Sequence, residues 1–156
     1  MLYKVQDIFK MKQIVTLFSC FLILAIQAQE YKIKYATDLS KQFRYAEALP
    51  VWEELAQKTT ATKAPNWSLV RSTVEAAYLS ENYRSAVKWS QVLTSKGITS
   101  ASDWERFINS LLYMGQSSRV QGVLDSALQK HPMDDALLMR NENLSAFLNN
   151  LQNKSE

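Results

Sequence analysis

The sequence predicts an all-α fold, an α–α superhelix of about three helix–turn–helix repeats closed by a C-terminal capping helix. Three observations predict it. Apolar residues recur at helical spacing, most clearly at Trp104, Phe107, Ile108, Leu111 and Leu112, which form one stripe of a 3.6-residue helix. Small or β-branched apolar residues near the start of each second helix, Ala48, Ala86 and Val120, recur at near-constant steps, the first step being the longer by four. The chain of 156 residues holds only three glycines and three prolines, too few turn formers for an all-β fold.

The first segment lies outside that pattern. Residues 14–26 form an apolar run behind Lys10 and Lys12. A membrane-spanning helix needs about 20 such residues and a secretory core about 7–15, so residues 1–28 read as a signal peptide. Ala28 and Gln29 flank the expected cleavage point, and Met11 is an alternative start because it abuts the run. Two alternatives are an uncleaved anchor and a lipoprotein cut before Cys20. Against the lipoprotein, Phe18 is bulky for a lipobox, and an apolar stretch follows the cysteine. Cys20 is the only cysteine, so a processed chain has no disulfide framework. Processing removes Lys4, Lys10, Lys12 and Asp7, which leaves 15 basic against 14 acidic residues, a net charge of +1. Nothing there steers nucleic acid or an anionic membrane.

Residues 29–149 carry the repeats, and 150–156 are a polar tail. First helices align Ala36 with Val74 and Ile108, and Leu39 with Ala77 and Leu111. Second helices align Trp52 with Ser90 and Leu124, and Leu55 with Leu93 and Ala127; Ser90 is the one polar exception. Turns are expected near 42–44, 81–83 and 115–117, and the extra length of the first step fits in 59–65. Asn66 caps a helix from Trp67, Gly97 follows the helix that starts at Tyr83, and Ser102 with Glu105 has the spacing of a capping box. Gly115 ends the Trp104 helix, and Pro132 stops the next. Asp134 and Asp135 open a seventh helix that carries Leu137, Leu138, Leu144 and Phe147 and turns polar at Asn149 and Asn150. That is the form of a capping helix.

With those residues in place, the chain resembles the tetratricopeptide repeat family over roughly residues 30–132. Ala48 and Ala86 match its small helix-crossing residue, Tyr45 and Tyr83 its aromatic at the second helix, and Pro132 its closing proline. Phe43 and Glu81 stand where Gly115 supplies the mid-repeat glycine, and Val120 replaces the crossing alanine. The resemblance implies a concave face lined by the first helices, where a protein or peptide partner lies. Its groove positions fall on Arg71, Glu75 and Tyr78 of the second repeat and on Glu105, Asn109, Leu112 and Tyr113 of the third. The alternative is that Tyr78, Leu112 and Tyr113 pack against neighbouring helices.

Chemistry-bearing motifs are sparse. His131 is the only histidine and sits at a helix C-terminus, where an imidazolium offsets the carbonyl dipole. No His/Cys/carboxylate set has metal-ligand spacing, and no glycine-rich phosphate loop is present. Glu53–Glu54 and Asp134–Asp135 are adjacent pairs, which diverge on a helix. The expectation is no enzyme, with no catalytic residues, metal, cofactor or small-molecule substrate. The start of the chain (Tyr31, Lys34, Tyr35, Ala36, Leu39, then 43–49) is similar to that of Bacteroidetes-type envelope proteins. In those, a tetratricopeptide region precedes a β-propeller and an OmpA-like peptidoglycan-binding domain, and some serve secretion or gliding. The expected function is thus an exported protein-binding scaffold of the periplasm or outer membrane. The alternative is a structural spacer module, the N-terminal part of a larger OmpA-like peptidoglycan-associated protein linked to secretion or gliding.

Overall fold

The computed structural model describes the backbone of residues 2–152 and, within it, the side chains of 19, 23–144 and 146. Seven helices and no strand occur among the described residues: α1 Leu2–Lys41, α2 Tyr45–Thr60, α3 Trp67–Leu79, α4 Tyr83–Ser95, α5 Ala101–Tyr113, α6 Ser117–Lys130 and α7 Asp135–Gln152. Each helix packs on the next along the chain, and α3 also packs on α5. The result is an all-α helical repeat solenoid, with odd-numbered helices in one layer and even-numbered helices in the other.

The register read from the sequence is the register of the core. Ala36, Val74 and Ile108 are fully buried, as are Ala77, Leu111, Ala48, Ala86, Leu93, Leu124 and Ala127. Leu39, Val120, Trp52 and Leu55 at the remaining aligned positions are buried too. Ser90, the polar exception, is buried, and its hydroxyl has no hydrogen-bond partner. The apolar side chains gather between the layers: Ala36, Leu39, Trp52 and Leu55 in the first pair, and Phe107, Ile108, Leu111 and Leu124 in the third.

Turns within the repeats share one geometry. Phe43, Glu81 and Gly115 all lie in the left-handed region, at φ 59°, 61° and 70°. Behind each, an N–H reaches the carbonyl five residues back: Arg44 to Leu39 (3.0 Å), Asn82 to Ala77 (2.8 Å) and Gln116 to Leu111 (2.9 Å). This is the Schellman closure, and glycine suits it because it has no Cβ. Phenylalanine and glutamate adopt it here between helices that pack on each other, α1 on α2 and α3 on α4.

Helix starts repeat as well. Asn66 accepts the Ser68 N–H, and Asp134 accepts the Leu137 N–H at 3.0 Å. The box at α5 differs from expectation: it is formed by Ser100 and Asp103, not by Ser102 and Glu105. Asp103 accepts the Ser100 N–H at 2.8 Å and is itself 2% exposed. Both serines have an acid three residues on, so spacing alone does not choose between them. The repeat period selects Ser100, and Arg71 supports the choice: its Nε donates to Asp103 at 3.0 Å and makes burial of that acid tolerable. The caps at Asn66, Ser100 and Asp134 are therefore evenly spaced, each one repeat period after the last.

α1 runs unbroken through Ala28. Residues 23–31 are exposed, including Ile23, Leu24 and Ile26, and burial in the stack begins at Lys32 and Ile33. Lys32 bridges to Glu54 at 2.6 Å, and Lys58 bridges to the same carboxylate at 2.7 Å. These two ammonium groups, Lys32 first, hold the Glu54 carboxyl down at about 2. Cys20 and residues 14–18 lie outside the described side chains, so the lipobox reading does too. Among the described residues no helix is long and apolar enough to cross a membrane.

Candidate functional site: the layer of odd-numbered helices

The seven groove positions lie on α3 and α5, and most of them are tied to each other or to neighbours. Arg71 holds Asp103 and also donates to the Ile98 carbonyl. Glu75 pairs with Arg106 at 3.5 Å. Tyr78 accepts from the Asn109 amide at 3.3 Å and meets the Tyr83 ring edge-on at 6.1 Å. Tyr113 is 65% exposed and stacks on Tyr83 at 4.6 Å. Burial, with Glu81 and the neighbouring tyrosines next, raises the Tyr83 phenol above its ordinary value. Glu105 is half-buried, and Leu112 is exposed.

The ties follow a rule. Glu75 to Arg106, Tyr78 to Asn109 and Asn109 to Arg140 are each separated by |i−j| = 31. The repeat period less about one helical turn gives that spacing, so the contacts step from one odd-numbered helix to the next. Between α3 and α5 the ladder is complete. On either side of it the layer opens into a cleft.

One cleft, of about 300 Å³, lies between α1 and α3 and is lined by Thr37, Ser40, Lys41, Ser72 and Glu75, with Tyr45 and Trp52 from α2. Trp52 Nε1 donates to Ser40 at 3.1 Å, which fixes its wall. The other, of about 490 Å³, lies between α5 and α7 and is more apolar: Leu112, Val120, Ala136, Met139 and Leu144, with Arg140 and Asn143. Sequence reasoning singled out Glu75 and Leu112 at these clefts and missed Lys41, Met139, Arg140 and Asn143. Arg140 was discoverable, because it stands one period after Arg106.

The remaining polar groups serve the fold. His131 Nε2 lies 3.2 Å from the Thr99 carbonyl and pins the link before α5. Glu53 accepts from Ser85 and, at 3.3 Å, from Trp89, which joins α2 to α4. Among the described residues no group of three or more His, Cys, Asp or Glu side chains converges. No protein-family model matches the chain, and no curated protein matches it.

Proposed function

We propose that the chain is an exported, non-enzymatic scaffold of the bacterial cell envelope that binds a protein partner along its odd-numbered helices. The observation that carries this reading is the pair of clefts flanking the braced α3–α5 centre. A rigid middle with open ends suits an extended partner, because little ordering is left to do on binding. The resemblance to tetratricopeptide arrays, where partners lie along the first helices, supports the same surface.

Export draws support from the register. Counting the longer repeat step back from the Asn66 cap lands on Ala28, the expected cleavage residue. Cleavage there would start the chain where the first helix of a repeat starts and would remove the exposed apolar turn at 23–26. A periplasmic or outer-membrane location, and kinship with the OmpA-like envelope proteins, follow as parts of this proposal.

The brace itself favours a second reading, a structural spacer without a ligand. A pull-down from envelope extract separates the two. The full chain is compared with Lys41→Glu/Met139→Asp, which changes one exposed residue in each cleft. A partner held by the parent and lost from the variant supports the scaffold; a partner held equally by both, or none held, supports the spacer.

A further inference from the structure

We infer that the α5–α7 cleft takes an acidic–apolar peptide segment of the partner, with a side-chain carboxylate on Arg140 and an apolar side chain on Leu112, Val120, Met139 and Leu144. This rests on the scaffold reading and names the partner's chemistry.

The repeat supplies the argument. Arg106 and Arg140 occupy the same position one period apart. Arg106 meets a carboxylate, that of Glu75. One period on, Glu75 becomes Asn109, and Arg140 Nη1 donates to the neutral Oδ1 of that amide at 2.5 Å. Among the described residues Arg140 is in no ion pair. Arg140 is a half-buried residue at a cleft lined by no acid.

A half-buried cation without a counter-charge attracts one, and guanidinium can take a carboxylate on an edge that Asn109 leaves unused. Asn109 is anchored by its bond to Tyr78, so the cation is held in place before any ligand arrives. Beside it, Met139 is 63% exposed and adaptable, and the Val120 floor is almost fully covered. Arg140 lies within about one turn of α7 from Met139 and Leu144, which line the same cleft as Leu112 and Val120. An extended segment with an apolar residue and an acid two positions apart spans that distance on one face.

The test titrates the isotope-labelled full chain with acetyl-GSLSESG-amide and with its GSLSQSG and GSLSKSG counterparts, read by NMR. The Glu peptide should shift Leu112, Met139 and Arg140 and bind roughly twofold to fivefold tighter than the Gln peptide, with the Lys peptide weakest. Arg140→Gln should erase that order. Asn109→Glu should erase it too, by placing the carboxylate within the chain, and both variants are checked for retained helicity. Equal binding of the Glu and Gln peptides, or shifts at the α1–α3 cleft instead, would overturn the assignment. So would a partner captured equally by the parent chain and by Arg140→Gln, an outcome that leaves the scaffold reading standing.

Discussion

Helices α5 and α7 start from equivalent caps, Ser100 and Asp134, yet they face different surroundings. Where α5 has Trp104, Phe107, Ile108 and Leu111, the same positions of α7 hold Leu138, Asn141, Glu142 and Ser145. The first four are buried, whereas Glu142 is exposed and Leu138 partly so. α5 has a helix packed on each side in sequence and an odd-numbered neighbour in α3. α7 keeps the fully buried Leu137, which packs in one cluster with Phe107, Ile108 and Leu124, and carries polar residues at three of the four stripe positions. The difference teaches that a repeat position has two halves, one for the pair partner and one for the previous repeat. Among the described residues, α7 uses only the second.

Truncating both helices at the same position should have the most unequal effect. Ile108→Ala should cost about 2–5 kcal/mol in urea unfolding. Glu142→Ala should stay within about 0.5 kcal/mol. Comparable losses at the two sites would mean that α7 is packed on both sides.

A smaller effect sharpens the contrast between the interior and the edge of the array. Ala48 and Ala86 are both fully buried at their helix crossings, so leucine at either overpacks by about 1–3 kcal/mol. Ala86 lies in the middle repeat, where a lesion weakens two interfaces. The melting temperature should fall further for Ala86→Leu than for Ala48→Leu, and the reverse order would contradict the nearest-neighbour picture.

The smallest effect concerns the turns. Glu81→Gly should gain up to about 1 kcal/mol, since glutamate holds a left-handed backbone that costs it roughly 1–2 kcal/mol. Gly115→Ala should lose about 1 kcal/mol, although a Cβ there meets nothing within 4 Å. Because that space is open, any loss is conformational. No change at either residue would indicate that the turns relax.

Most of the fold was legible because the period placed every aligned core residue correctly, even buried Ser90. The Ser100–Asp103 box was legible only through the repeat, because Ser100 lies one period from both the Asn66 and the Asp134 caps, whereas the three-residue box spacing fits Ser102 and Glu105 equally well. Leucine occupies the equivalent of Asp103 in the repeats on either side, at the buried Leu69 and Leu137, so the alignment marks position 103 as core although an acid stands there. The left-handed turns at Phe43 and Glu81 were visible only by alignment to Gly115, because residue preference argues against both. Of the groove, the positions were readable but their use was not. Pairing just short of one period depends on the stagger between helices, which a periodic sequence does not state.

The turns have one more consequence, for how the chain tolerates changes in length. Joints inside the pairs span 42–44, 80–82 and 114–116, three residues each time, closed by the same hydrogen bonds. Links between pairs span 61–66, 96–100 and 131–134 and shorten from six residues to five to four. The hairpins behave as rigid vertebrae, and the links between them as discs of adjustable thickness. Of the four extra residues in the first repeat step, three lengthen α2, which runs on through Thr60 rather than turning at 59, and one lengthens the link. Inserted residues, a tag or a protease site belong in that longest link, at exposed Lys63 and Ala64.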